Sequence, residues 1–427
     1  MIDRRKFLGI AAGAGASLAL TPELLRALRQ SDATPELLRA LQQPGGKLMQ
    51  RSIPSSGEKL PVISLGFANH AGCADPAALT EVLKTFLANG GRVFDTQHQN
   101  DPKAQDVTAA IVNELGVRDK LFLSLRGIPG NGGGRGAPPP TAEQRKAHLE
   151  SMFTSFKTPK IEMVVGFPDT DPEYWSLLTQ AKKEGRIKYL GTMVTSFGDP
   201  SRFEALMRNE PLDFITVDYC IDRRGADEKL LPLALERKIA VLSFFPFGGA
   251  NGYSCVSDRG LFQRVGNAPL PAWAADFDAK TWAQFFLKYV ISHPAITTVR
   301  VGTTKPHHML DNIGGGIGRL PNEATRKRMA ELVESFPLPV PAQTLDRYVG
   351  EYVAASGFTA TFRRDGEKLF VKSGTGAEAL VIARTFTRFV DPDGRFFEFQ
   401  LTGVGPATRA VRVILEQGAE KMTLEKK

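Results

Sequence analysis

Eight short apolar runs alternate with amphipathic stretches, a cluster of prolines follows, and short period-two segments close the chain. This order predicts an α/β protein: a (β/α)8 barrel followed by a small antiparallel all-β domain, a barrel or sandwich. Three observations carry the prediction. The runs are continuously apolar and β-branched, as strands covered on both faces must be. Eight strand–helix units over ~250 residues is the count and length of a closed barrel, whereas an open doubly wound sheet rarely reaches eight regular units. FPLPVPAQ then forbids helix and central strand alike, and hydrophobic periodicity switches to two behind it.

The elements follow in order. MIDRRKFLGIAAGAGASLAL pairs Arg4 and Arg5 ahead of a weakly apolar Ala/Gly run, the layout of a twin-arginine export signal, assigned to residues 1–30. The apolar run is shorter than the ~20 residues that span a bilayer, so the membrane enters only through export, and the expected location is the periplasm. TPELLRALRQSDA (21–33) repeats as TPELLRALQQPGG (34–46), two copies with a Thr-Pro start and helical Leu spacing that read as short linker helices, and the linker is assigned to residues 31–45. KLMQRSIPSSGEKLPV alternates around Ser-Ser-Gly and reads as a hairpin able to plug a barrel floor. Strands are expected at 62–69, 92–96, 120–127, 162–167, 189–194, 214–219, 240–245 and 297–302. Between and after them, helices are expected at 75–89, 103–114, 141–156, 171–185, 200–208, 227–236 and 278–292, from about 306, and at 321–334. The barrel domain spans 46–334, a Pro-rich linker 335–344, and the β domain 345–427, where YVGEYVA, FTATFRR, KLFVKS, EALVIA, RFVDPDGRFFEFQL, AVRVILEQ and KMTLEK are joined by turns such as Arg-Asp-Gly and Asp-Pro-Asp-Gly.

Composition narrows the function. The chain has 427 residues, 42% hydrophobic and 23% charged, which suits a soluble protein of two or three domains. A net charge of +8 without a run of five like charges reads as scattered solvated charge, so no nucleic-acid partner is expected. Three cysteines, Cys73, Cys220 and Cys255, allow at most one internal disulfide and show no zinc spacing. Thr192 and Ser243 stand near strand ends without a nucleophile elbow, His148 is placed on a helix surface, and His293 in a bottom loop. GNGGGRG (130–136) lacks the Lys-Ser/Thr of a phosphate loop and reads as a flap over the barrel mouth.

The segments IPSSGEKLPVISLGF, GGRVFDT, KKEGRIKYLG, PLDFITVDY, EKLLPLALERKIAVLSFFPFGG and SHPAITTVRVGTTKPHHMLDN together resemble the aldo-keto reductases over residues 46–334. The resemblance implies hydride transfer between NADPH and a carbonyl, run by a tetrad of Asp, Tyr, Lys and His. Its positions here are Asp95, then Asn100 for the tyrosine, Arg126 for the lysine and Gly166 for the histidine. An amide cannot supply a proton to an alkoxide at neutral pH, an arginine does not shift its pKa as a lysine does, and a glycine offers no donor. Arg126 stays protonated and is able to pair with Asp95. The resemblance also implies NADP contacts at Met193, Val194 and Thr216 for the nicotinamide amide, Phe244 for stacking on its ring, and Gly302, Thr303, Thr304, Lys305 and Asn312 for the adenosine phosphate. Apolar residues at two of the amide positions cost ~1–3 kcal/mol per lost partner. LDRYVGEY and its short strands resemble the small β-barrel domain that follows some serine-hydrolase and peptidase-like domains.

Three readings follow: an exported reductase-family protein whose chemistry is weak, altered or lost; a silent barrel holding a small molecule in its mouth; or a thiol or metal site drawn from His70, Cys73, Asp95, His98, Cys220 and Cys255. The spacing of that last set matches no metal signature, and no metal is assigned. His98 is the first candidate for a replacement acid.

Overall fold

The computed structural model describes residues 46–67, 74–96, 102–127, 139–194, 200–248, 260–402, 408–418 and 420–427. The export signal, the duplicated linker, His70, Cys73, His98, Asn100, Cys255 and the stretch 130–136 lie outside these residues.

Two short strands, β1 (Gln50–Ser52) and β2 (Lys59–Pro61), pair antiparallel. They close the floor of a barrel of eight parallel strands: β3 (Ile63–Gly66), β4 (Val93–Asp95), β5 (Phe122–Arg126), β6 (Ile161–Gly166), β7 (Ile187–Val194), β8 (Phe214–Asp218), β9 (Ala240–Phe244) and β10 (Ile296–Val301), with β10 returning to β3. The helices between them are α1 (Pro76–Ala88), α2 (Pro102–Leu115), α3 (Ala142–Ser155), α4 (Pro172–Lys183), α5 (Pro200–Asn209), α6 (Leu230–Glu236), α7 (Leu261–Val265) and α8 (Trp282–Ile291). After β10 come α9 (Pro306–Gly315) and α10 (Glu323–Ser335).

Local sequence explains these starts and faces. Asp75 accepts the Ala77 N–H at the head of α1, with proline in its first turn, and the helix buries Leu79, Val82, Leu83 and Phe86 at helical spacing. Thr141 and Gln144 form a capping box on α3. The helix expected over 278–292 starts late: α8 begins only behind the Thr281 cap, and a separate 3-10 segment precedes it at Ala272–Phe277.

Strand alternation sorts side chains into two cores. One lies between strands and helices. The other fills the barrel: Val93, Phe122, Met163, Val165, Tyr189, Phe214, Ala240 and Leu242 meet Ile53 and Leu60 of the hairpin. Tyr189 seals this floor, its hydroxyl 2.7 Å from Ser56 Oγ and 2.9 Å from Glu58 Oε2.

The second domain is a closed antiparallel barrel of eight strands in chain order: β11 (Gly350–Ala354), β12 (Thr359–Asp365), β13 (Lys368–Ser373), β14 (Glu378–Ala383), β15 (Arg388–Val390), β16 (Phe396–Thr402), β17 (Arg409–Gln417) and β18 (Glu420–Lys426). Gly366 and Gly394 take positive φ in the two tight turns that the sequence marks. Tyr348, Tyr352, Phe362, Phe389, Phe397 and Phe399 pack its core, so side chains fill the interior.

The Pro-rich segment is not a free tether. Leu338 and Val340 are buried in the second core, and the Leu338 N–H donates to Ala383 O at 3.0 Å. Arg264 donates to Phe336 O, and Arg384 to the Glu334 and Ser335 carbonyls that end α10. A one-turn helix, α11 (Ala342–Leu345), stands where the prolines argue against helix; it starts after the last of them.

Candidate functional site

Inward parity continues the inner core up to the C-terminal rim of the barrel. It brings Gly66, Asp95, Arg126, Phe167, Met193, Thr216, Asp218, Phe244 and Arg300 around the mouth, the end of such barrels where chemistry is carried out.

Asp95 is fully buried, and both its oxygens are committed. Oδ1 accepts the Ser124 hydroxyl at 3.0 Å, and Oδ2 pairs with Arg300 Nη1 at 2.6 Å. The Arg126–Asp95 pair that the sequence allows is therefore corrected: the cation on Asp95 comes from β10. The reason is geometric. β10 closes the barrel onto β3, and β3 ends in Gly66, where a Cβ would stand 2.6 Å from Arg300 Cδ. The absent side chain lets the arginine stem cross to β4. From there its guanidinium lies 5.3 Å from the Phe244 ring centroid. Phe245, in the left-handed region at φ 58, sets its ring across the same ring at 77°, the centroids 4.9 Å apart.

Arg126 takes another role. Its Nη2 lies 3.2 Å from Met193 Sδ, and its guanidinium 5.6 Å from the Phe167 ring. Gly166, expected at the mouth, is not there. A Cβ on it would meet Leu178 Cδ1 at 2.7 Å and Trp175 Cε3 at 2.9 Å, both on α4. Position 166 faces the helix layer, and the next residue, Phe167, carries inward parity. Val194 likewise packs in the outer core, while Thr216 is inward, buried and opposite Met193. Asp218 lies 3.6 Å from Arg223.

Beyond β10, Gly302, Thr303 and Thr304 lead into α9. Lys305 caps that helix, its N–H donating to Thr303 Oγ1 at 3.1 Å while its side chain stays exposed. Thr303 Oγ1 lies 3.4 Å from His308 Nδ1, and Asn312 is buried farther along. A helix N-terminus with an exposed lysine suits a phosphate.

The remaining candidates are engaged elsewhere. The Cys220 thiol donates to Asp222 Oδ1 at 2.9 Å, and burial pushes its pKa well up, so it is a thiol and not a thiolate. Thr192 donates to Gly166 O, and Ser243 to Tyr219 O. His148 is not on a bare helix surface. It is half-buried, its ring 5.7 Å from that of Tyr174, and burial lowers its pKa. His293 sits between α8 and β10, 3.5 Å from Asp227, and burial brings its pKa down to about 4. Among the described residues no cluster of three metal-ligating side chains occurs.

Sequence reasoning missed Arg300, Gly66, Ser124 and Phe167. A signal existed for the first: an arginine inside TTVRVG, a run otherwise fit for burial on both faces, demands a carboxylate at the strand end.

Fold and rim define an eight-stranded parallel α/β barrel with Asp95, Arg126 and Arg300 at its mouth. The sequence model of the aldo/keto reductase family matches residues 63–327, and the chain belongs to that family. Among solved structures, the holo form of an aldo-keto reductase from Bacillus halodurans superposes with a TM-score of 0.53 at 17% identity, covering 67% of this chain and 96% of the other. A candidate aldo-keto reductase from Pseudomonas aeruginosa matches at 15% identity with a TM-score of 0.49, covering 64% and 96%.

The family generally uses NADP(H), and the two ends of such a cofactor fit this chain unequally. At the adenosine phosphate end, Lys305 is exposed at the head of α9, where it would hold a phosphate. The nicotinamide does not fit: Val194 faces away from the mouth, Met193 offers a thioether, and the Phe244 ring is covered.

Proposed function

We propose that this aldo/keto reductase family member works outside the cytoplasm and that its carbonyl reduction with NADPH is weak or lost. The rim supports this reading. Among the described residues, no inward-facing position there is Tyr, Lys or His, and the retained acid, Asp95, is held by Ser124 and Arg300. That double engagement is the observation that carries the proposal. A general acid is worth ~10²–10⁴-fold and an oxyanion donor ~10²–10³-fold, so turnover of ordinary aldehydes should lie at least several hundredfold below that of a complete tetrad. The test is NADPH oxidation by the purified full chain over a panel of aldehydes, followed by its near-ultraviolet absorbance. Robust turnover would refute the proposal and turn attention to His98 as the acid.

The second reading, a silent barrel with a small molecule at its mouth, is favoured by the covered Phe244 ring, only 6% exposed. Export rests on RRKFLG and the Ala/Gly run. Replacing Arg4 and Arg5 together by lysine should keep the protein in the cytoplasm, and unchanged periplasmic recovery would remove that part.

A further inference from the structure

We infer that Arg300 excludes the nicotinamide from the barrel mouth, so that this chain grips a dinucleotide by its adenosine phosphate end alone. The inference rests on the reading just given and deepens it. The guanidinium is anchored at two points, on Asp95 Oδ2 at 2.6 Å and over Phe244 at 5.3 Å from the ring centroid. An arginine held by a buried carboxylate does not swing aside without leaving that carboxylate unpaired. The remaining approach to Phe244 is narrowed by Phe245, whose ring lies across it at 77° with the two centroids 4.9 Å apart. With Phe244 only 6% exposed, a flat ring has no open aromatic face to stack on while Arg300 stays in place. The effect falls hardest on the oxidised cofactor, whose nicotinamide is itself cationic and meets a fixed cation. Gly66 is part of the same device, since any Cβ there would collide with the Arg300 stem at 2.6 Å. At the other end, Lys305 and the head of α9 remain open to a phosphate.

The experiment measures calorimetric Kd values for NADPH, NADP+ and the adenosine bisphosphate fragment that lacks nicotinamide, on the full chain. The parent protein should bind NADPH no tighter than the fragment. Arg300→Ala should bind NADPH about tenfold tighter than the parent, the scale of one restored aromatic stack. It should gain more for NADP+ than for NADPH and leave fragment affinity unchanged. Gly66→Ala, which displaces the stem without deleting the charge, should move NADPH affinity in the same direction and serves if Arg300→Ala does not fold. A parent that binds NADPH tenfold tighter than the fragment overturns the inference, as does a folded Arg300→Ala protein with unchanged NADPH affinity. Aldehyde turnover by the parent would instead refute the loss of reductase chemistry, so the two failures are distinguishable.

Discussion

Gly166 and its neighbour Phe167 give the sharpest test of how the barrel wall is registered. The perturbation is Gly166→Ala. Its new Cβ would stand 2.7 Å from Leu178 Cδ1 and 2.9 Å from Trp175 Cε3, closer than carbon atoms pack. Neither neighbour gives way cheaply. Leu178 is fully buried, and the Trp175 indole N–H is fixed on Glu210 Oε2 at 2.9 Å. Overpacking of this kind costs ~1–3 kcal/mol, and histidine at 166 should cost at least the upper figure. Phe167→His, half-buried at the rim, removes only a ring beside Arg126 and should cost ~0.5–1 kcal/mol. Urea denaturation of the three variants measures these differences. A catalytic arm follows from the same parity. In a chain carrying Asn100→Tyr, Arg126→Lys and Arg300→Ala, adding histidine at 167 should raise NADPH-dependent aldehyde reduction by ~10²–10³-fold, whereas histidine at 166 should add nothing. A Gly166→Ala protein within ~0.5 kcal/mol of the parent, or activity from the 166 variant, would show that position 166 faces the mouth after all.

Further outcomes follow from the same geometry. Asp95→Asn and Arg300→Met should each destabilise by ~3–5 kcal/mol while the double variant loses clearly less than their sum, as a double-mutant cycle in urea would show, because each single change strands a buried charge. Burial lowers the pKa of His293 from 6.5 to about 4, so the unfolded chain takes up this proton first as pH falls. The stability His293 contributes is then complete above pH 6.5 and lost as pH falls towards 4; the loss should be ~1–2 kcal/mol after allowance for partial exposure, and His293→Gln should flatten that part of a pH–stability profile. Limited proteolysis should leave the segment 336–341 uncut in the parent, and Arg384→Ala, which uncaps the Glu334 and Ser335 carbonyls, should speed cleavage there; equal rates would mean that the segment is not held by these bonds.

Periodicity and punctuation in the sequence determined both barrels, because burial on two faces and burial on one leave different patterns along a strand. The eight apolar runs, the prolines of FPLPVPAQ and the period-two tail each correspond to an element or boundary, and the Ser-Ser-Gly hairpin does close the floor. Asp95 was legible as the rim carboxylate because an acid ending an apolar run must sit where the strand meets its loop. Its partner was not. Arg126 was the candidate because it stands at the lysine position of the family tetrad, on the neighbouring strand β5, while Arg300 is brought alongside only by the closure of β10 onto β3. The facing of Gly166 was hidden for a related reason. A one-residue shift in strand parity exchanges mouth and helix layer, and sequence matching carries no such precision at a strand end. The covering of Phe244 is likewise a property of closure: a side chain from the last barrel strand, passing a glycine on the first, settles on a ring from the strand before it. The chain's order specifies which strands exist; the circle they close specifies which charges meet.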